Sequence, residues 1–518
     1  MKRPTETNRV AVIGAGISGV ATAAHLLKHG LEVTVFERSS TSGGVWHFDE
    51  RSAPDPPFPN LKPSDGDSLF GPQSTDVAAT SEEVDQGHNA ALGEISHAPP
   101  GPCYAGLMNN IPIPLMQTSL MSYPAGTSDH LSHDVVERHI HDISRATGVD
   151  KVIQNNTRVL DVRKQGSSWV LQTTALWKES DRVRFTDATY NFDAVVIASG
   201  HYSMPRVPDI PGLSTWKRLW PDRVWHSKRY RRPAAFKDKT ILLIGAGVSS
   251  SDIAKEAAPI AKKIYQSSRG GVLDLPTSFL PEGTLRIGGI QSFELPSADF
   301  QPSQEGPIPL AVTLTDGTRL QGIDIVVVAT GYIISYPFLR HLHSDTTAAA
   351  NASREMLVTA EGDMVHNLWQ DIFYIPDPTM AFVGTPLQVT TFCLFDFQAQ
   401  VVARVFAGKA YLPAQDVMRK EYEDRLAQRG TGRDFHSLRK RGAEQDYVAR
   451  LVEWMNKDAG VTGTEHMRGH TQEWIAAYES MQEKFAFLQV TEDKPQGESG
   501  AWTQTLSPVT QAQILSVS

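Results

Sequence analysis

The sequence predicts an α/β fold with parallel sheets, and two stretches predict it. Val10 to Glu37 runs from a short apolar strand through Gly14-Ala15-Gly16-Ile17-Ser18-Gly19 into a helical stretch, then into a second strand that ends on Glu37. Thr240 to Arg269 repeats that order: an apolar strand, Gly245-Ala246-Gly247, a helical stretch, and a strand that ends just before Arg269. Short continuous apolar runs bounded by glycine suit strands buried on both faces.

Each part of the first unit has a physical job. Gly14 permits a tight turn, Gly16 lets backbone approach a pyrophosphate, and Gly19 lets helix and strand pack closely. The helix N-terminus presents free N–H groups and a positive dipole end to phosphate. Glu37 stands about 20 residues past the first glycine, where an acid accepts hydrogen bonds from a ribose 2′-OH and repels a 2′-phosphate. An ordinary strand–helix–strand unit would need the glycine turn but not the acid. After Glu37 come Arg38 and the run Gly43-Gly44-Val45-Trp46. Two further glycines suggest a second close backbone approach to the cofactor, although a plain surface turn reads the same way.

Residues 49–100 change character. Prolines cluster at 54, 56, 57, 59 and 63, and polar residues follow without periodicity. This stretch is expected to be a long surface insertion, partly disordered. Order returns at Cys103, followed by a helix over Ser132 to Thr147 and a hairpin, Thr157 to Val162 with Trp169 to Thr174, turning near Gly166. The apolar strand Asp193 to Ala198 runs into Ser199-Gly200-His201, and the proline-rich Pro205 to Pro211 reads as a crossing between domains.

The second unit differs from the first at two places. Ser250 stands where the third glycine would be, and Ser249 and Ser250 offer hydroxyls to a phosphate at the helix start. Its second strand ends near a base, Arg269, suited to a 2′-phosphate where an acid is not. The acid end suits FAD or NAD, and the basic end suits NADPH. Farther on, Ile323 to Val328 leads to Ala329-Thr330-Gly331-Tyr332, which echoes Ala198-Ser199-Gly200-His201. Residues 415–487 read as amphipathic helices, and the polar tail after Asp493 as loose.

Bulk properties narrow the classes. The 518 residues exceed one core, and 40% hydrophobic with 21% charged residues suits a soluble globular chain. A net charge of −9 argues against general nucleic-acid binding and against an acidic membrane surface. Cys103 and Cys393 are the two cysteines, too few for a disulfide framework or a dithiol relay. That suits a reducing, cytoplasmic setting. No run of 18 apolar residues is present, so no membrane span is expected. The histidines are scattered, and no metal site is expected.

Together these motifs resemble the flavin-containing monooxygenases, in particular the soluble microbial members of the group with FAD and NADPH sites on one polypeptide. The resemblance runs from about Arg9 to about Pro413, apart from the insertion. It rests on the two glycine turns, on Gly43-Gly44-Val45-Trp46, and on Ala329-Thr330-Gly331-Tyr332, which matches that family's A-T-G-Y. It implies two Rossmann-like domains, the NADPH domain inserted into a discontinuous FAD domain. The expected boundaries are 1–204 and 325–490 for FAD, 205–324 for NADPH, and 491–518 for the tail.

The family fingerprint before the second turn is F-x-G-x-x-x-H-x-x-x-F/Y. Here His226 and Tyr230 match it, while Trp220 replaces the Phe and Asp222 the Gly. Baeyer–Villiger relatives carry Trp where this chain has Tyr230, which tilts the expectation toward heteroatom oxygenation. The resemblance adds His226, Tyr230, Thr330, Gly331 and Tyr332 to the cofactor-binding set of Gly14, Gly16, Gly19, Glu37, Arg38, Gly44, Val45, Trp46, Gly245, Gly247, Ser249, Ser250 and Arg269. It also places an Asn at the flavin, which alignment on Pro112 makes Asn110, with Asn109 as the alternative and an Asx-turn residue as the bland reading.

The implied activity uses NADPH and O₂ to form a C4a-hydroperoxyflavin that oxygenates a nitrogen or sulfur of a small molecule, in a setting such as specialised metabolism. A Baeyer–Villiger or carbon-oxidising enzyme, and a flavin-binding protein without turnover, are the alternatives.

Overall fold

The computed structural model describes residues 7–64, 83–84, 88–179, 182–271 and 274–492. Part of the expected insertion and the tail beyond 492 lie outside the described residues.

Two largely parallel sheets carry the fold. The first has the order Leu368–Trp369, Phe373–Tyr374, Met380–Phe382, Ala194–Ile197, Arg9–Ile13, Glu32–Phe36, Ile153–Gln154. Its strands come from both ends of the sequence. The second has the order Val224–His226, Ile325–Val328, Thr240–Ile244, Lys263–Ser267, Thr284–Ile287. Each contains a strand, a helix and a parallel neighbour in direct succession: Arg9–Ile13, Ile17–Lys28, Glu32–Phe36, and then Thr240–Ile244, Val248–Ala257, Lys263–Ser267.

The apolar runs are continuous because both faces of each sheet are covered. Val10 and Val12 pack into one core with the helices Ile17–Lys28, His133–Thr147 and Phe392–Phe406, while Ala11 and Ile13 pack into another. That second core rests on the antiparallel meander Thr157–Gln165, Ser168–Glu179, Arg182–Phe192. In the second sheet Leu242 and Ile244 face one core, and Ile241 and Leu243 the other. Strand alternation assigns the sides.

The chain passes between the sheets along two neighbouring segments. Met204–Pro205 pairs antiparallel with Tyr332–Ile333, and Arg206 N–H donates to the Gly331 carbonyl at 2.8 Å. Strand Ile325–Val328 lies in the second sheet, between Val224–His226 and Thr240–Ile244. The chain then runs on to Tyr332–Ile333, which pairs back with Met204–Pro205.

The proline-rich stretch is not only a solvated loop. Asp55 is half-buried, and its carboxylate accepts from Lys217 Nζ at 2.6 Å, Arg229 Nη1 at 3.2 Å and the His226 backbone N–H at 2.9 Å. Asn60 exchanges backbone hydrogen bonds with Val207 and donates its side-chain amide to the Pro205 carbonyl. Residues 55–60 thus strap the crossing and the second sheet together. His88–His97 forms a helix. Beyond Pro413 the chain is helical over Gln415–Arg429, Ala443–Thr462 and Gln472–Glu492. Among the described residues no helix is long and apolar enough to cross a membrane.

Candidate functional site

A cavity of about 1090 Å³ opens at the carboxyl edge of the first sheet. That edge is where open α/β sheets hold ligands. The volume is at the upper end for small-molecule sites, which suits an extended dinucleotide.

Backbone-to-backbone contact builds its floor. Gly14 has φ +104°, and a β-carbon there would stand 2.6 Å from the Ala198 carbonyl oxygen. Gly19 lies under the turn, where a β-carbon would sit 1.8 Å from the Gly14 carbonyl oxygen. Gly44 approaches Gly16 so closely that its β-carbon would lie 2.9 Å from the Gly16 Cα, and Gly43 N–H donates to Ala15 O at 3.0 Å. The Gly43-Gly44 pair is therefore part of the cradle, not a plain surface turn. Helix Ile17–Lys28 begins at this cradle with Gly16 as its N-cap, presenting first-turn N–H groups to the cavity.

Glu37 is buried and lines the cavity. Its Oε2 accepts from the Ala15 N–H and its Oε1 from the Ser39 N–H, both at 2.8 Å. The carboxylate thus ties the end of the second strand to the glycine turn, and each oxygen keeps a further lone pair for a ribose hydroxyl. Arg38, Val45, Trp46 and Asn110 line the same cavity. Arg38 Nη2 donates to Ser203 Oγ at 3.3 Å, and Trp46 meets Phe392 edge to face at 6.4 Å.

Asn109 and Asn110 differ in their surroundings. Asn109 is buried, and its Nδ2 donates to Ile111 O at 2.7 Å and Asp129 O at 2.9 Å, while its Oδ1 accepts from Leu131 N–H. That saturates Asn109 in structure. Asn110 is exposed on the cavity wall.

The second unit reaches the cavity through Val248 and the segment around Leu275 to Phe279. Its turn copies the first: Gly245 has φ +111°, and a β-carbon would stand 2.4 Å from the Ala329 carbonyl oxygen. Gly247 is the N-cap of Val248–Ala257, and Ser249 is exposed in that helix's first turn. Arg269 is exposed just past the end of Lys263–Ser267. Turn, exposed hydroxyl and basic strand end suit an NADPH phosphate set.

Six expected cofactor contacts, Ser250, His226, Tyr230, Thr330, Gly331 and Tyr332, have protein partners of their own in the structure. Ser250 is fully buried: its Oγ donates to Gly247 O at 2.9 Å and accepts from Gln266 Nε2 at 2.8 Å, so it braces the turn from beneath. His226 is fully buried, donating from Nε2 to Gly331 O at 3.2 Å and accepting at Nδ1 from Lys228 N–H at 3.1 Å. Burial pushes its pKa down to about 3, against the hydrogen bond to Gly331, so the ring is a neutral tie between the fingerprint and the crossing. Tyr230 is buried against Phe236, and its hydroxyl donates to Glu256. Thr330 spends its hydroxyl on Arg206 O, and the Tyr332 carbonyl accepts from Arg433 Nη2 at 2.6 Å. Thr330, Gly331 and Tyr332 form the crossing seam and are not among the cavity-lining residues.

Sequence reasoning missed several residues. His201 lines the cavity, and burial, with Arg433 and His436 nearby, pushes its pKa down to about 4. Glu444 lines it too, buried, accepting from the Thr390 N–H and hydroxyl. His201 follows Gly200 at the end of an apolar strand, a local signal for the sheet edge, whereas nothing in its local sequence distinguishes Glu444 from other helix glutamates.

Comparison with known proteins agrees with this geometry. The family described as Flavin-binding monooxygenase-like matches residues 101–278 and 308–461, and that described as FAD dependent oxidoreductase matches residues 9–52. The chain is 43% identical to "Flavin-containing monooxygenase ustF2" of Aspergillus flavus over 93% of this chain and 98% of that one. It is 30% identical to "Flavin-containing monooxygenase iboF" of Amanita muscaria over 90% and 91%. Among solved structures, S-allyl-L-cysteine S-oxygenase from Allium sativum superposes with TM-score 0.62 at 22% identity, covering 94% of this chain and 95% of that one. Tmm from Pelagibacter does so with TM-score 0.64 at 19% identity over 92% and 91%. These two likenesses show the shared fold. Family match, full-length relatives and the paired glycine cradles together make this chain a member of the flavin-containing monooxygenases, enzymes that use FAD and NADPH.

Proposed function

We propose that the protein transfers one oxygen atom of O₂ to a nucleophilic nitrogen or sulfur of a small molecule, with NADPH as reductant and water as the second product. The observation that carries the reading is the position of Asn110, the side-chain amide exposed on the wall of the cavity that the Gly16–Gly44 cradle floors. Bound FAD supplies the hydride acceptor and the O₂ chemistry. The chain supplies the rest. The cradle and the N-terminus of Ile17–Lys28 receive the pyrophosphate, Glu37 and Arg38 flank the ribose, and the Asn110 amide donates a hydrogen bond to the reacting face. Trp46, Phe392 and Phe395 exclude water, which protects a reactive oxygen species from wasteful loss.

In this reading Gly245, Gly247, Ser249 and Arg269 hold NADPH. The FAD domain comprises residues before Pro205 together with those after Gly331, and the NADPH domain lies between. The buried, unbridged Cys103 and Cys393 support a reducing, cytoplasmic setting. The full-length relatives, both named flavin-containing monooxygenases, support the oxygenase reading.

The test is direct. Purified protein is yellow and oxidises NADPH in the presence of O₂, and mass analysis of a panel of amines, thiols, sulfides and ketones shows products heavier by one oxygen on nitrogen or sulfur. Asn110→Ala reduces flavin at the wild-type rate but diverts NADPH into hydrogen peroxide. Lactones or esters from ketones, with no N- or S-oxide, would overturn the proposed substrate class. Unchanged coupling in Asn110→Ala would remove its role.

A further inference from the structure

Helix Val248–Ala257 opens on the second glycine turn, and one turn apart along it stand two carboxylates, Asp252 and Glu256. Both meet the segment that leads to Asn110. Tyr104 Oη donates to Asp252 Oδ2 at 2.7 Å. Tyr230 Oη donates to Glu256 Oε2, and the Tyr104 and Tyr230 rings lie 5.5 Å apart. Gly106 packs so tightly on Glu256 that a β-carbon there would stand 1.7 Å from Oε1. Ala105 N–H donates to Arg231 O at 3.0 Å, and Leu107 N–H to Tyr104 O at 3.0 Å. These carboxyls are not solvated surface charges: burial raises both, with the tyrosine hydroxyls opposing.

The segment is thus held at two points. Its Tyr104–Gly106 end is fixed to the helix of the second unit, and its Asn109 end to Asp129 and Leu131. Asn110 follows immediately. The fingerprint residue Tyr230 gains a purpose that has no cofactor contact in it, because it holds the carboxylate against which Gly106 rests.

We propose that Asp252 and Glu256 are positioning residues that couple the nicotinamide-dinucleotide helix to Asn110. A dinucleotide seated at the N-terminus of Val248–Ala257 steadies that helix, and the two carboxylates pass the restraint to Tyr104–Gly106 and so to the cavity wall. The Asn110 amide is then best ordered while the dinucleotide is bound. The inference rests on the reading of Asn110 as the group that faces the reacting centre.

Hydrogen exchange of the FAD-loaded protein, with and without NADP⁺, tests it without turnover. In the wild type NADP⁺ slows exchange at Ala105 and Leu107. Tyr104→Phe removes one hydrogen bond, and Gly106→Ala forces the segment and the Glu256 carboxylate apart. Both are expected to speed exchange there about five-fold and to abolish the NADP⁺ protection, with NADP⁺ affinity little changed. Glu256→Gln keeps an acceptor for Tyr230 and retains the protection. Identical NADP⁺ protection in the wild type, Tyr104→Phe and Gly106→Ala would overturn the coupling.

A double-mutant cycle reads the same link in catalysis. Tyr104→Phe raises peroxide leakage in the Asn110 background and adds nothing in Asn110→Ala, because both act through one group. Additive effects would overturn the positioning role and leave the monooxygenase reading standing. A wild type without oxygenase activity would remove that reading, and the exchange measurement would still decide the coupling.

Discussion

The Ala198 carbonyl oxygen lies 2.6 Å from the point where a β-carbon on Gly14 would stand. The second unit repeats the relationship between Gly245 and Ala329, at 2.4 Å. In each, the neighbouring strand ends where the glycine turn begins, so the strand-end repeats Ala198-Ser199-Gly200 and Ala329-Thr330-Gly331 are the partners that make the glycines obligatory. Alanine at either glycine meets backbone that cannot yield, in a φ region that costs roughly 1–3 kcal/mol. Gly14→Ala is expected to purify colourless and without bound FAD. Gly245→Ala should stay yellow and lose NADPH oxidation. Absorbance of the purified variants and NADPH titration separate the two outcomes.

Arg269 stands two residues past Ser267, the last residue of the strand beside the second turn, and is exposed there. A guanidinium at that strand end contributes affinity only where a 2′-phosphate is present. Arg269→Ala should raise the KM for NADPH by about ten- to one-hundred-fold, the loss of a charge-assisted contact of roughly 1.5–3 kcal/mol. The KM for NADH should hardly move. Equal effects on the two cofactors, measured in one buffer at fixed ionic strength, would contradict the assignment.

What was legible beforehand was local. Gly14, Gly16, Gly19 and Glu37 belong to one contiguous strand–turn–helix–strand, so their spacing carries their geometry. The same holds for the hairpin about Gly166 and the helix ending at Thr147. Partners distant in sequence leave no such local trace. Ser250 reads locally as a phosphate ligand, and its hydroxyl accepts from Gln266, a partner on the neighbouring strand. His226 and Tyr230 looked like cofactor contacts, and their partners are Gly331 and Glu256. Asp55 sat in a proline-rich stretch that read as solvated, and no local pattern announces a carboxylate that pairs with Lys217 and Arg229.

Asp55 supports a prediction of its own. Its side chain is 8% exposed, while those of Lys217 and Arg229 are 19% and 32% exposed. Removing the carboxylate takes the acceptor from the His226 N–H and the better-buried counter-charge from two partly buried cations, leaving Lys217 the Pro221 carbonyl and Arg229 the exposed Asp222. A fully buried pair broken this way costs about 3–5 kcal/mol, and the partial exposure of the cations brings Asp55→Ala down to about 2 kcal/mol. Asp55→Asn, which keeps an acceptor for the N–H, should cost less. Thermal unfolding of the FAD-loaded protein at fixed pH checks the order, and equal melting temperatures for all three proteins would show that the strap does not hold the crossing.

Glu444 predicts a pH dependence. Burial pushes its carboxyl up to about 7 from the ordinary 4.5, with the Thr390 hydroxyl and N–H opposing. Between those two values the folded chain binds a proton that the unfolded chain does not, so this group lowers stability as pH rises from 4.5 to 7 and adds no slope above that. Each pH unit in the window is worth about 1.4 kcal/mol. Glu444→Gln removes the slope. It should match the wild type at pH 5 and exceed it at pH 8 by at most about 3 kcal/mol. The gain is smaller to the extent that one amide oxygen serves Thr390 less well than two carboxylate oxygens do. Because Glu444 lines the cavity beside the start of Phe392–Phe406, the same variant should also flatten the pH profile of flavin retention between 5 and 7. Melting curves for the two proteins that run parallel from pH 5 to 8 would show that Glu444 does not titrate in that range.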